Sequence, residues 1–203
     1  MSTQEVIENV IKNTFETIKK VYKSQNESKC EYIDNVGSRI IFPVYADEKT
    51  IRISEQELRF IFVEQFNKEC INGDDDLYYS IETPTKNKYI FSETKDNPRK
   101  DGDGESARTD MVIHKKVDNN KFERVALIEF KALNPGKHNY LKDICKLKEE
   151  ECKLKYFIQI IKTFDNGTEK NLNDKTIEMK EAKIIYRCDC LEKDEKVTIE
   201  WQK

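Results

Sequence analysis

Glu129 and Lys131 stand two residues apart near the end of an apolar run, Val125 to Ala132. Strand side chains alternate faces, so Glu129 and Lys131 point the same way and Phe130 points opposite. Val125 and Leu127 share the face of Glu129, while Ala126, Ile128 and Phe130 line the other. A strand apolar on both faces is central and buried. An acid and a base at its end are costly to desolvate unless something pairs with them. A divalent metal ion and a phosphate would do that. The bland alternative is a same-face ion pair at an exposed sheet edge. The acid-x-Lys pattern recurs at Asp47/Lys49, Glu93/Lys95, Glu151/Lys153, Glu178/Lys180, Glu181/Lys183 and Asp194/Lys196, but only the Glu129 copy follows a long apolar run.

A second strand adds to the chemistry. Arg108 to His114 alternates, with Asp110, Val112 and His114 on one face and Met111 and Ile113 on the other. The polar stretch Asp118 to Lys121 separates it from the Phe122 to Ala132 strand, which predicts an antiparallel hairpin. Asp110 begins the first strand and Glu129 lies late in the second. Antiparallel pairing therefore brings two carboxylates and a lysine to one end of the hairpin.

The elements around this hairpin follow from periodicity. Residues 3 to 23 carry Val6, Ile7, Val10, Ile11, Phe15, Ile18, Val21 and Tyr22 at helical spacing. Ser24 to Asn35 is polar and predicts a connection. Ser38 to Tyr45 predicts a short strand interrupted by Pro43. Ser54 and Glu57 form a capping box that opens a helix running to about Cys70 and stopping at Asn72 and Gly73. Leu77 to Thr83 and Lys88 to Phe91 predict two strands around Pro84 to Asn87. Lys95 to Ser106, with Pro98, Gly102 and Gly104, predicts a mobile loop. Asn134 to Gly136 breaks the chain after Lys131. A helix from His138 to about Lys153, a strand from Tyr156 to Phe164 and a short helix from Leu172 to Lys180 follow. Lys183 to Leu191 and Lys196 to Trp201 predict a closing hairpin. The expected architecture is α/β, a mixed central sheet flanked by helices. Residues 1–36 form an N-terminal helical accessory segment, and residues 37–203 hold the main domain.

Composition narrows the function classes. The chain has 203 residues, 37% hydrophobic and 37% charged, with a net charge of −3. That excludes a uniformly basic nucleic-acid coat but leaves 36 Lys and Arg for a local basic groove. No apolar run is long enough to cross a bilayer. The N-terminus lacks the basic and apolar regions of a signal peptide, so a cytoplasmic protein is expected. Six cysteines at 30, 70, 145, 152, 188 and 190 form no Cys-x-x-Cys, and there are two histidines. They are expected to be reduced thiols rather than a zinc set. Asp101, Asp103 and Glu105 hint at a calcium loop, but Ser106 stands where an EF-hand needs glycine.

Helix, strand with Asp110, strand with Glu129-Phe-Lys131, helix: this order, over roughly residues 54 to 164, resembles the PD-(D/E)xK nuclease superfamily, the restriction-endonuclease-like enzymes. Thr109 stands where the family name has proline, a position that varies in the family. The resemblance implies a restriction-endonuclease-like core and a Mg²⁺-dependent nuclease, with Mn²⁺ as a substitute, acting most simply on DNA. It implies that Asp110 and Glu129 bind the metal. Lys131 would hold or help deprotonate the attacking water, and the Phe130 carbonyl would add a ligand. The family often adds a helix glutamate. Glu55 extends the inward face of Leu58, Ile61, Phe62 and Phe66 by one turn and is the best candidate; Glu57 is explained by capping, and Glu64 falls off the stripe. Lys137, Lys142 and Lys146 would approach the DNA backbone or, as the blander reading has it, lie on an exposed face paired with Glu149 and Glu150. Arg108 would reach a phosphate or cap its strand. His114 and His138 are expected to be structural. A non-catalytic binding or assembly protein of the same fold is the alternative. The N-terminal helix is expected either to dimerise the protein or to brace the sheet.

Overall fold

In the computed structural model the Asp110 hairpin lies at the centre of one six-stranded sheet. The structure describes residues 1–27, 37–71, 76–91, 98–118, 120–134 and 137–192, apart from the side chains of residues 137–139, 171, 174 and 178. Two helices come first, α1 (Thr3–Asn26) and α2 (Glu55–Ile71), then strands β1 (Leu77–Ile90), β2 (Arg99–Lys100), β3 (Glu105–Asp118) and β4 (Lys121–Ala132). Helix α3 (Lys137–Glu149), strand β5 (Leu154–Ile161), helix α4 (Asn166–Glu181) and strand β6 (Ile185–Cys190) complete the order. The sheet runs β2-β1-β3-β4-β5-β6. Pairing is antiparallel through β4 and parallel from β4 to β6. The expected mixed α/β sheet flanked by helices is thus present. Among the described residues no helix is long and apolar enough to cross a membrane.

Alternation along the strands divides the apolar residues between two cores. Met111, Ile113, Ala126, Ile128, Phe130, Tyr156, Ile158 and Ile160 pack with α1 and α2. Val112, Leu127, Phe157, Ile161, Tyr186, Cys188 and Cys190 pack with α3 and α4 on the other face. Helix α1 opens with a complete capping box between Ser2 and Glu5. Its whole apolar stripe is buried in the same core as α2 and the sheet, which is the bracing role. The Arg187 guanidinium donates to both Glu8 carboxylate oxygens at 2.8 Å and fastens α1 to β6.

Five expected elements differ. Residues 38 to 45 form no strand; a single bridge joins Val44 to Ile51. The Gln25 side chain takes the place of a strand partner, accepting from Phe42 N–H at 2.7 Å and donating to Phe42 O at 3.0 Å. The two strands expected around Pro84 are one strand, β1, with a register shift between Pro84 and Lys88. Proline is tolerated in a ladder at such an irregularity. The Glu150 carboxylate accepts from the N–H groups of Lys86 and Asn87, both at 2.9 Å, and so satisfies backbone the ladder leaves unpaired. The expected loop at 95 to 106 contains β2 and the first residues of β3. There Gly104 is pressed against Tyr89, whose carbonyl oxygen would lie 2.3 Å from an added Cβ. Helix α4 is longer than expected, and Ser24 to Asn26 belong to α1 rather than to a connection. The second strand of the closing hairpin, 196 to 201, falls outside the described residues, as does Cys30; the other five cysteines form no disulfide with one another.

Candidate active site

Antiparallel pairing aligns Met111 with Ile128 and Val112 with Leu127. One step further, Asp110 faces the end of β4. Its Oδ2 accepts from the Phe130 N–H at 2.8 Å. Glu129 and Lys131 lie on the face of Leu127, under α3, so the hairpin brings Asp110, Glu129 and Lys131 together. The Glu55 carboxylate, at the start of α2, completes the group at 3.3 Å from Lys131 Nζ. Helix α2 is set in place by Phe62, whose ring packs edge-on to Phe130 with centroids 5.3 Å apart. Ser54 N–H donates to Glu57 Oε2 at 2.9 Å, so Glu57 does cap the helix. Glu64 pairs with Lys68 one turn on.

Four charged residues not assigned to the site belong to it. Asp143 places Oδ2 2.8 Å from Lys131 Nζ and Oδ1 2.8 Å from Lys146 Nζ. The Lys146 ammonium also lies 2.8 Å from Glu129 Oε1 and donates to the Arg108 carbonyl at 2.7 Å. Arg59 forks between Asp110 Oδ1 at 2.9 Å and Glu82 Oε1 at 2.8 Å. The expected exposed face for Lys146 is therefore wrong: α3 docks with that lysine inward, and Glu150 turns to β1 instead. Lys142 Nζ lies 5.8 Å from the centre of the Phe91 ring. Arg108 is exposed beside Asp110. His114 Nε2 is hydrogen-bonded to Ser80 Oγ at 2.8 Å, away from the acids, and partial burial lowers its pKa. The side chains of Lys137 and His138 lie outside the described residues.

Signals for three of the missed residues existed. Asp143 interrupts the apolar stripe Tyr140, Ile144, Leu147, a position that faces inward. Lys146 lies one turn beyond it, and Arg59 lies one turn beyond Glu55. Glu82 carried no signal at all. It has φ of 47°, which an L-residue adopts only at a cost of about 1–2 kcal/mol. That twist falls where β1 runs past Asp110, between the Ile81–Met111 and Thr83–Thr109 pairs.

The electrostatics are unusual. Five carboxylates (Glu55, Glu82, Asp110, Glu129, Asp143) surround three cations (Arg59, Lys131, Lys146), leaving two negative charges. Glu129 is fully buried, with Oε1 2.8 Å from the Lys146 ammonium and Oε2 without a hydrogen-bond donor among the described residues. Burial, with Asp143 adding to it, pushes its pKa well above the ordinary value in spite of Lys146. Burial likewise raises Glu55, against the pull of Lys131. Burial acts on Lys131 in the downward direction, but Asp143, Glu55 and Asp110 outweigh it and the pKa rises. Lys146 rises in the same way, with Glu129 and Asp143 outweighing its burial. Both ammoniums are thus firmly protonated.

A divalent cation suits this imbalance, because it would cancel the two excess formal negative charges and give Glu129 Oε2, which Lys146 does not reach, a partner. Among the described residues no three His, Cys, Asp or Glu side chains form a ready-made metal-binding group. Two carboxylates suffice for Mg²⁺, which keeps several waters and engages substrate phosphate. No protein-family model, no curated protein and no solved structure matches the chain.

Proposed function

We propose that this chain is a Mg²⁺-dependent nuclease that hydrolyses phosphodiester bonds, with DNA as its substrate and Mn²⁺ able to substitute. The observation that carries this reading is the fully buried Glu129 carboxylate, met by the Lys146 ammonium at one oxygen only, beside Asp110 and a protonated Lys131. Burying the second Glu129 oxygen without a donor is costly, and a further cation would offset that cost. Asp110 and Glu129 would hold the metal, with Glu55 at the third side. When bound, the ion acidifies a coordinated water and offsets charge on the phosphorus oxygens.

The chain's own residues supply the rest. Lys131 is fixed by two carboxylates from different helices, so its ammonium is already oriented before substrate arrives. Held protonated, it donates hydrogen bonds to a water or a phosphoryl oxygen. It is suited to stabilising negative charge and unsuited to taking a proton. Arg59 and the Phe130 N–H hold the Asp110 carboxylate at both oxygens, which fixes its rotamer. Arg108, exposed beside it, is placed to meet a neighbouring phosphate.

A second reading draws on the same ion pairs. Arg59 and Lys146 already neutralise Asp110 and Glu129, as in a fold that has kept its charges and given up catalysis. Cleavage of duplex, branched and single-stranded DNA and of RNA, with Mg²⁺ and Mn²⁺, separates the two. Asp110→Ala, Glu129→Ala and Lys131→Ala should each lower cleavage by at least about a hundredfold while the fold persists. Undiminished activity in all three purified variants would exclude this site as the catalytic centre. No cleavage of any substrate by the wild type would favour the binding protein.

A further inference from the structure

Lys146 Nζ is surrounded by three oxygens: Glu129 Oε1 and Asp143 Oδ1 at 2.8 Å and the Arg108 carbonyl at 2.7 Å. A buried positive centre ringed by carboxylate and carbonyl oxygens has the donor set of a hard cation site. Its hold on Glu129 reaches one carboxylate oxygen, Oε1, and leaves Oε2 without a hydrogen-bond donor among the described residues. Its other two contacts do not involve Glu129 and survive if that pair opens. Asp110 is also paired with a basic side chain, Arg59 of α2, although hydrogen bonds hold both of its oxygens. Each of the two proposed ligand carboxylates is therefore paired with a basic side chain from a different helix.

We propose that the Lys146 ammonium is an exchangeable counter-cation. It balances Glu129 in the metal-free protein, yields that carboxylate to the divalent ion, and remains on Asp143 and the Arg108 carbonyl. From there the freed positive charge faces incoming phosphate. The reason is electrostatic: an unserved buried carboxylate would destabilise the empty site, whereas a permanent, fully bonded partner would exclude the metal. The inference rests on the metal site proposed above.

The test is Mn²⁺ titration by calorimetry, with melting curves, on the full-length wild type, Lys146→Met and Lys146→Arg. Removing the internal competitor should tighten Mn²⁺ binding by about tenfold or more, one charge-assisted contact no longer having to be broken. Lys146→Met should melt lower than wild type without metal and recover with saturating Mn²⁺. Lys146→Arg keeps a competing charge and should bind Mn²⁺ no more tightly than wild type. A purely structural lysine would lower the melting temperature without changing metal affinity. Unchanged or weaker Mn²⁺ binding in folded Lys146→Met overturns the exchange and leaves the metal site standing. If Lys146→Met is unfolded without metal, refolding by Mn²⁺ supports the proposal and failure to refold overturns it. No Mn²⁺ binding by the wild type removes the metal site and this inference together.

Discussion

Lys131 Nζ lies 2.8 Å from Asp143 Oδ2, so the lysine of the strand motif is anchored by an acid from the following helix. Asp143 holds Lys146 with its other oxygen. Its removal would leave two poorly exposed ammoniums short of a partner. Asp143→Ala should cost about 3 kcal/mol of stability in urea denaturation, the lower end of the range for breaking a buried pair. A loss below about 0.5 kcal/mol, typical of an exposed pair, would contradict this placement. In the nuclease reading, Asp143→Asn should slow cleavage by about a hundredfold through a misplaced Lys131, with KM little changed.

Glu129 sets a pH dependence. Its folded pKa is raised, by burial first, above the unfolded value. A raised carboxylate favours folding below its unfolded pKa of 4.5, and that contribution is lost as pH rises through the folded pKa. Glu129→Gln cannot ionise. In metal-free buffer its melting temperature relative to wild type should therefore climb as pH rises from 5 to 8. Saturating Mn²⁺ should shrink the advantage by stabilising only the wild type. A difference independent of pH would show that Glu129 is adequately paired.

Lys175 in α4 is a second buried charge. It has no exposed surface, its Nζ has no hydrogen-bond partner among the described residues, and it lies 4.9 Å from the centre of the Tyr140 ring. Burial lowers its pKa to about 8. For a lysine with a depressed folded pKa, charging opposes folding as pH falls below 10.5 and through 8. Lys175→Met should be more stable at pH 7 by about 2–3 kcal/mol, and the gain should fade by pH 10.5. Equal stability at both pH values would mean that the ammonium is served in solution.

Helix α1 belongs to the main core. Ile18 is fully buried among sheet and α2 residues. Ile18→Ala should cost about 3 kcal/mol, as at a core position. Deleting residues 1–24 should abolish cooperative unfolding, because the sheet face beneath α1 would lie open to water. A deletion variant that melts cooperatively near the wild-type temperature would make α1 an appendage.

Local periodicity determined the strand with Glu129 and Lys131, the Asp110 strand, the hairpin between them, and the α1 and α2 stripes. Each depends on spacings within one element, where the alternation of a strand or the turn of a helix dictates which side chains share a face. Glu55 was legible for the same reason, as the next inward position beyond Leu58. Only the tertiary structure decided what surrounds those groups. The Pro84 segment continues as one strand because Glu150, distant in sequence, satisfies its backbone. Residues 38 to 45 remain outside the sheet because Gln25 occupies the Phe42 backbone. Arg59 from one face and Asp143 and Lys146 from the other meet the hairpin end only through the docking of α2 and α3. Spacing names the acids and the lysine, but their charge balance is a sum over elements that become neighbours only on folding.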